Sequence, residues 1–240
     1  MGRAFEFRKA RKMKRWGKMA KTFSRIGKDI VMAIKDGGHD PESNSRLRAV
    51  MQNAKAANMP KDNVDRAIKK AKDKDTSNYK EVIFEGRAPH GIAVLVECAT
   101  DNNNRSVANI RHCFSKKDGA LGTSGSVDFM FDHTCNFRIV NDGTDPEELE
   151  LELIDYGADE VFIDDDGIIV YAPFESFGSI QKYFEDNNKE ILSSGFERIP
   201  QMLTKLTSEQ KEDVDKLLEM LEEDEDTQHV YHSMDESEDA

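Results

Sequence analysis

No stretch of this sequence approaches the ~18 consecutive apolar residues that a membrane-spanning helix needs, and its start lacks the apolar core of a secretory signal. Both absences predict a cytoplasmic protein. A mitochondrial transit peptide is Arg-rich and acid-poor, as this start is, but it is also Ser-rich, and the first serine here is Ser24. Cysteine is scarce: Cys98, Cys113 and Cys135 are an odd number at wide spacing. That argues against a disulfide framework and for a reducing compartment, with each thiol a small packing residue. Enzymatic signatures are missing as well. There is no phosphate-binding loop of the Gly-x-x-x-x-Gly-Lys-Ser/Thr kind and no His-Glu-x-x-His pair for zinc.

What the sequence has is a charge split. Residues 1–80 carry 22 Lys+Arg against 9 Asp+Glu, and residues 81–240 carry 12 against 38. Residues 1–28 alone hold 11 basic side chains and one acid, Glu6. Such a block repels itself unless a polyanion is near, so nucleic acid is the expected partner. The whole-chain net charge of −13 conceals this. Phe5, Phe7 and Trp16 are interleaved with the basic residues. They suit stacking on unpaired bases, and they equally suit packing the arm onto the body.

Three helical patterns follow. Phe23, Ile26, Ile30 and Ile34 form one stripe, stopped by Gly37-Gly38. Asp40-Pro41 is the expected cap and first position of a second helix carrying Leu47, Val50, Met51 and Ala54. Pro60 starts a third, with Val64, Ala67, Ile68 and Ala71 on its apolar face and Lys61, Lys69, Lys70 and Lys72 largely off it. That basic face is either a nucleic-acid contact or an ordinary solvated surface.

The period then changes. Residues 82–84 and 92–98 are strand-like across a turn, and Val107, Ile110 and Phe114 mark a helix. Gly119, Gly122 and Gly125 lie in a loop expected to be flexible, leading into a strand at Val127–Phe131. Residues 135–200 follow the order β-α-β-β-α-β, a ferredoxin-like plan. In it the alternating 149–153 is helix, because Asp145-Pro146 opens it and Gly157 closes it. Thr207 and Gln210 form a capping box for a last helix, and His229–His232 reads as a strand. These two lack a local partner, so they return to the sheet begun at residue 82. The expected class is α+β in three domains. A basic arm (1–20) precedes a three-helix domain (21–76). A discontinuous α/β domain (77–132 plus 205–234) then encloses an inserted ferredoxin-like domain (133–204), and an acidic tail (235–240) ends the chain.

Other motifs yield no chemistry. Asp164-Asp165-Asp166-Gly167 fails as a calcium loop, since placing Gly167 at loop position six puts Phe162 and Pro173 at the two end ligand positions. His229 and His232 fall on opposite faces of a strand. No catalytic residue, metal or cofactor is expected. The residues expected to contact nucleic acid are Arg3, Arg8, Lys9, Arg11, Lys12, Lys14, Arg15, Trp16, Lys18, Lys21, Lys61, Lys69 and Lys70.

Several segments carry a resemblance. They are Gly37-Gly38 with Asp40-Pro41 and Asn44, RLRAV (46–50), NMPKDNVDRAIKKA (58–71), FEG (84–86), VECATDNNNR (96–105) and LGTSGSVDFMF (121–131). Over nearly its full length the chain resembles the YebC/PmpR family of bacterial regulatory proteins, related to a mitochondrial translational activator. Two places depart from the commonest pattern: Gly2-Arg3-Ala4-Phe5-Glu6 where many members have Gly-His-Ser-Lys-Trp, and Pro89-His90-Gly91 where Pro-Gly-Gly is usual. The resemblance implies a three-domain fold and a non-enzymatic regulator of gene expression that binds DNA as a transcriptional regulator. The alternative it implies is a ribosome-associated translation factor that relieves stalling at proline-rich stretches.

Overall fold

The computed structural model describes residues 19–72, 78–164 and 167–237. It opens with three helices, α1 (Met19–Gly37), α2 (Ser45–Ala56) and α3 (Lys61–Lys72). Ile26, Ile30 and Ile34 of α1 meet Leu47 and Ala54 of α2 and Ala67 of α3 in one buried cluster. The apolar period is therefore the packing face of the bundle.

The rest of the chain runs β1 (Lys80–Arg87), β2 (Ala93–Thr100), α4 (Asn103–Lys116), β3 (Ala120–Leu121), β4 (Phe131–Ile139), α5 (Pro146–Ile154), β5 (Glu160–Asp164), β6 (Gly167–Pro173), α6 (Phe177–Asp186), β7 (Ile191–Pro200), α7 (Ser208–Glu223) and β8 (Thr227–His232). The strands form two antiparallel sheets, ordered β3-β1-β2-β8 and β5-β6-β4-β7. The second sheet with α5 and α6 has the β-α-β-β-α-β order of a ferredoxin-like fold. The chain leaves the first sheet after β3, completes the second, and returns as α7 and β8. Ile110 and Phe114 of α4 and Val214, Leu217 and Leu221 of α7 cover Val94 and Val96 of the first sheet. Leu149, Leu153, Ile180 and Phe184 cover Phe137, Ile168 and Val170 of the second.

Close packing fixes two glycines. A Cβ on Gly86 would stand 2.7 Å from the Phe114 ring, and one on Gly167, at φ +148°, would stand 2.3 Å from the Ile139 carbonyl oxygen. The three thiols are free and buried. Burial pushes Cys98 and Cys135 up to about 12, so neither is a thiolate at neutral pH.

Two local expectations are corrected. Asp40 does not cap α2. Its carboxylate accepts from Glu42 N at 3.1 Å in an exposed turn, and the cap is Asn44. The buried Asn44 carboxamide accepts from Leu47 N at 3.0 Å and donates to Ala33 O and Gly38 O, both at 2.7 Å. It satisfies the end of one helix and the start of the next together. Val127–Phe131 is not a strand either. Residues Asp128–Met130 form a 3₁₀ turn and the strand starts at Phe131. The amide hydrogens that a strand would offer a neighbour are taken by a carboxylate: Glu85 accepts from Gly125 N (2.6 Å), Val127 N (2.8 Å) and Asp128 N (2.9 Å).

Candidate nucleic-acid interface

Basic side chains in this chain have two fates, and geometry separates them. The first is internal anchoring. Arg25 and Lys28, one turn apart on α1, both face the acidic run before β8. Arg25 Nε donates to Thr227 O at 3.2 Å and its Nη2 to Glu222 O at 3.3 Å. Lys28 Nζ donates to Glu225 O (2.6 Å), Ala99 O (2.9 Å) and the buried Asp226 carboxylate (3.3 Å). Asp226 also accepts from Arg105 Nη2 (2.8 Å), Ser106 Oγ (2.8 Å) and Thr100 Oγ1 (3.1 Å). Burial alone would raise its carboxyl, but Arg105, Ser106 and Lys28 outweigh burial and hold it below the ordinary value. These two cations of the basic block dock the bundle and are spent. Asn53 does the same at the second sheet, donating to Ser194 O at 2.6 Å and accepting from Ser194 N at 2.9 Å.

The second fate is exposure on α3. Pro60 precedes this helix, and its carbonyl accepts from Asn63 N at 2.9 Å. Pro60 is thus the cap residue, one place before the first helical position, where its missing N–H leaves nothing unpaired. Because Ala67 and its apolar neighbours face the bundle, Lys61, Lys69 and Lys72 lie along one exposed ridge, eight and eleven residues apart. Lys70 points elsewhere. Its Nζ donates to the Tyr79 hydroxyl at 3.1 Å and sits 5.2 Å from the ring centroid, and Lys28 sits 5.2 Å from the same ring. Arg66 turns back on its own helix, donating to Asp62 O at 3.1 Å and to Asn63 Oδ1.

Of the expected contact residues, Lys61, Lys69 and Lys70 are exposed on α3 and Lys21 is half-buried on α1. Arg3, Arg8, Lys9, Arg11, Lys12, Lys14, Arg15, Trp16 and Lys18 lie outside the described residues. Sequence reasoning missed Tyr79 as the seat of Lys70. It also missed Asp226 as the anchor of α1. For Asp226 the only local signal is its place in the acidic run 222–226, which does not distinguish it from its neighbours.

The Gly-rich loop holds an anion of its own. The amide hydrogens of residues 125–128 converge on Glu85, as they would on a phosphate. Burial would raise that carboxyl, yet the backbone hydrogen bonds from Val127, Gly125, Asp128 and Ser126 prevail and lower it. The site is filled by the protein itself, and the loop is tied down. Among the described residues no group of three or more His, Cys, Asp or Glu is placed to hold a metal, and no helix is long and apolar enough to cross a membrane.

Comparison with known proteins agrees with this architecture. Residues 3–74 match the model of the TACO1/YebC protein N-terminal domain, and residues 79–234 match that of the TACO1/YebC second and third domain. A relative from Flavobacterium johnsoniae is 70% identical over 234 residues, 98% of this chain and 99% of its own length. One from Flavobacterium psychrophilum is 71% identical over 236 residues, and one from Parabacteroides distasonis is 57% identical over 235. All three are named probable transcriptional regulatory proteins. The crystal structure of a conserved hypothetical protein from Aquifex aeolicus superposes with a TM-score of 0.78 at 34% identity, covering 93% of each chain. On both family matches and on relatives of this identity over nearly the whole length, the chain belongs to the TACO1/YebC family.

Proposed function

We propose that this chain is a non-enzymatic, cytoplasmic regulator of gene expression that binds nucleic acid through residues 1–21 and the exposed lysines of α3. The observation that carries the reading is the charge split, 22 Lys+Arg against 9 Asp+Glu in residues 1–80 on an otherwise acidic protein. The relatives' names favour transcription and hence DNA. Lys and Arg contacts to phosphates give affinity that falls with salt and carries little sequence preference. The test is a titration of labelled nucleic acid across a salt series. Each phosphate contact contributes a slope of roughly −0.9 in log K against log salt on duplex DNA, or about −0.7 on single strands. Deleting residues 2–18, or changing Lys61 and Lys69 to Gln, should weaken binding and flatten the slope. An unchanged slope would make both segments spectators.

A second reading, an RNA- or ribosome-associated translation factor, is favoured by the start of α3. There Asn63, the side chain best suited to adenine, has its carbonyl held by Arg66. Salt-sensitive and RNase-sensitive co-sedimentation of the cellular protein with ribosomes would support this second reading.

A further inference from the structure

The second sheet carries a cavity of about 550 Å³. Its lining includes four carboxylates, Asp132, Asp159, Glu160 and Glu175, and the apolar surface of Tyr171 and Ile199. Among the described residues that line it there is no Lys or Arg. Acids and apolar surface lining one cavity favour a ligand that is cationic and partly apolar. Burial raises the carboxyls of Asp159 and Glu160, and Asp132 raises Asp159 further, a stress that a bound cation relieves.

We propose that this acidic cavity is the docking site of the chain's own residues 1–18, and that nucleic acid competes with the cavity for that segment. Charge complementarity supports the choice of occupant. Residues 1–18 hold eight Lys+Arg against Glu6 alone, and they add Phe5, Phe7 and Trp16 to meet the apolar part of the lining. Reach is sufficient. Eighteen extended residues span up to roughly 60 Å, and a body of this length has a radius of gyration of roughly 18 Å. Tethering favours this occupant over a free peptide of like composition, because a short linker gives an effective concentration near the millimolar range. The cavity then acts as a counter-charge that the arm leaves only for a polyanion. A weak or short nucleic acid cannot displace it, and a dense phosphate surface can. The competition rests on the nucleic-acid reading above; the docking does not.

Trp16 is the one tryptophan of the chain, so its fluorescence reports the arm in the full-length protein. With no nucleic acid present, Trp16 should be shielded from acrylamide at low salt. It should become severalfold more accessible in the double variant Asp159→Asn/Glu160→Gln, and in the parent near 1 M salt, where the screening length is about 3 Å. Quenching that is the same in parent and variant, and indifferent to salt, would overturn the docking; the salt arm decides the matter even if the variant does not fold. Capture of an added Lys/Arg-rich peptide at low salt, with Trp16 open throughout, would assign the cavity to another protein and also overturn it. In the second step the double variant should bind nucleic acid severalfold more tightly than the parent. Equal affinity would refute the competition. Shielded Trp16 with no nucleic-acid binding at all would leave the docking standing and defeat only the functional reading.

Discussion

Lys28 of α1 and Asp226 of the loop before β8 lie 198 residues apart in sequence and 3.3 Å apart in the fold. The pair joins the helical bundle to the first sheet. Asp226 is buried and has charged donors from both sides, Lys28 and Arg105. Removing one partner of a buried pair leaves the other uncompensated, which costs about 3–5 kcal/mol.

Asp226→Ala should therefore lower unfolding stability by about 3 kcal/mol, read from urea melts at neutral pH. Lys28→Met should cost clearly less, since Arg105, Ser106 and Thr100 still hold the carboxylate. Equal losses in the two variants would mean that the Lys28 contact, and not the whole network, sets the energy. The Asp226 carboxyl is depressed, so its contribution is full above its ordinary value of 3.8 and is lost as pH falls through the folded value.

Asp29, on the same helix, has the opposite sign. Its Oδ1 accepts from Gln228 Nε2 at 2.8 Å, and burial pushes its carboxyl from 3.8 up to about 6. The fold prefers the protonated acid. The Gln228 hydrogen bond and, less, Arg46 oppose this effect, while Glu81 and Glu97 add to it. The group's contribution is full below pH 3.8, declines as pH rises towards about 6, and is lost at neutrality. Asp29→Asn keeps the acceptor and removes the charge. It should raise stability at pH 7 by on the order of 1–3 kcal/mol and flatten the pH dependence between roughly 4 and 6. A parent and variant with parallel pH profiles would refute this.

Glu85→Gln tests the loop. The carboxylate accepts three amide hydrogens within 2.9 Å, and an amide side chain would turn its own NH₂ towards some of them. The expected cost is about 2–3 kcal/mol. Amide exchange at Gly125, Val127 and Asp128 should accelerate more than exchange in the β1–β2 pair. Uniform acceleration would show general destabilisation and no specific hold on the loop.

How much of this was legible in the sequence differs by element. The bundle was, because Ile26, Ile30 and Ile34 repeat at helical spacing and become its buried face. The ferredoxin-like order was also legible, and helix 146–154 was rightly read against its strand-like alternation because Asp145 and Gly157 bracket it. Asp145 accepts from Glu147 N at 2.9 Å, and Gly157 takes φ +88°. The 3₁₀ turn at 128–130 was not legible. Val127, Phe129 and Phe131 alternate like a strand, and the acid that claims their backbone is Glu85, some 40 residues earlier. The candidate interface was legible as charge only. Nothing local separates Lys28, which is buried in contacts, from Lys61, which is exposed.

A helix that reads duplex DNA places Arg, Asn or Gln near its N-terminal end against base edges. In α3 that end is Lys61-Asp62-Asn63. Arg66 donates to the Asp62 carbonyl at 3.1 Å and to Asn63 Oδ1, so the two best readers in the turn hold each other. The Asp62 carboxylate would also repel a phosphate backbone brought close. What remains is the lysine ridge, which suits phosphates of any sequence, and the aromatic-basic arm, which suits unstacked bases. At matched salt, ribosomal RNA fragments should therefore outcompete a promoter duplex for the full-length protein. Asn63→Ala should leave both affinities within about twofold, because a side chain held by Arg66 contributes little of the 1–3 kcal/mol that a bidentate base contact supplies. A duplex site that wins by about a thousandfold, the low end of specific recognition, and loses that advantage in Asn63→Ala would show that Arg66 releases Asn63 on binding and that α3 reads bases after all.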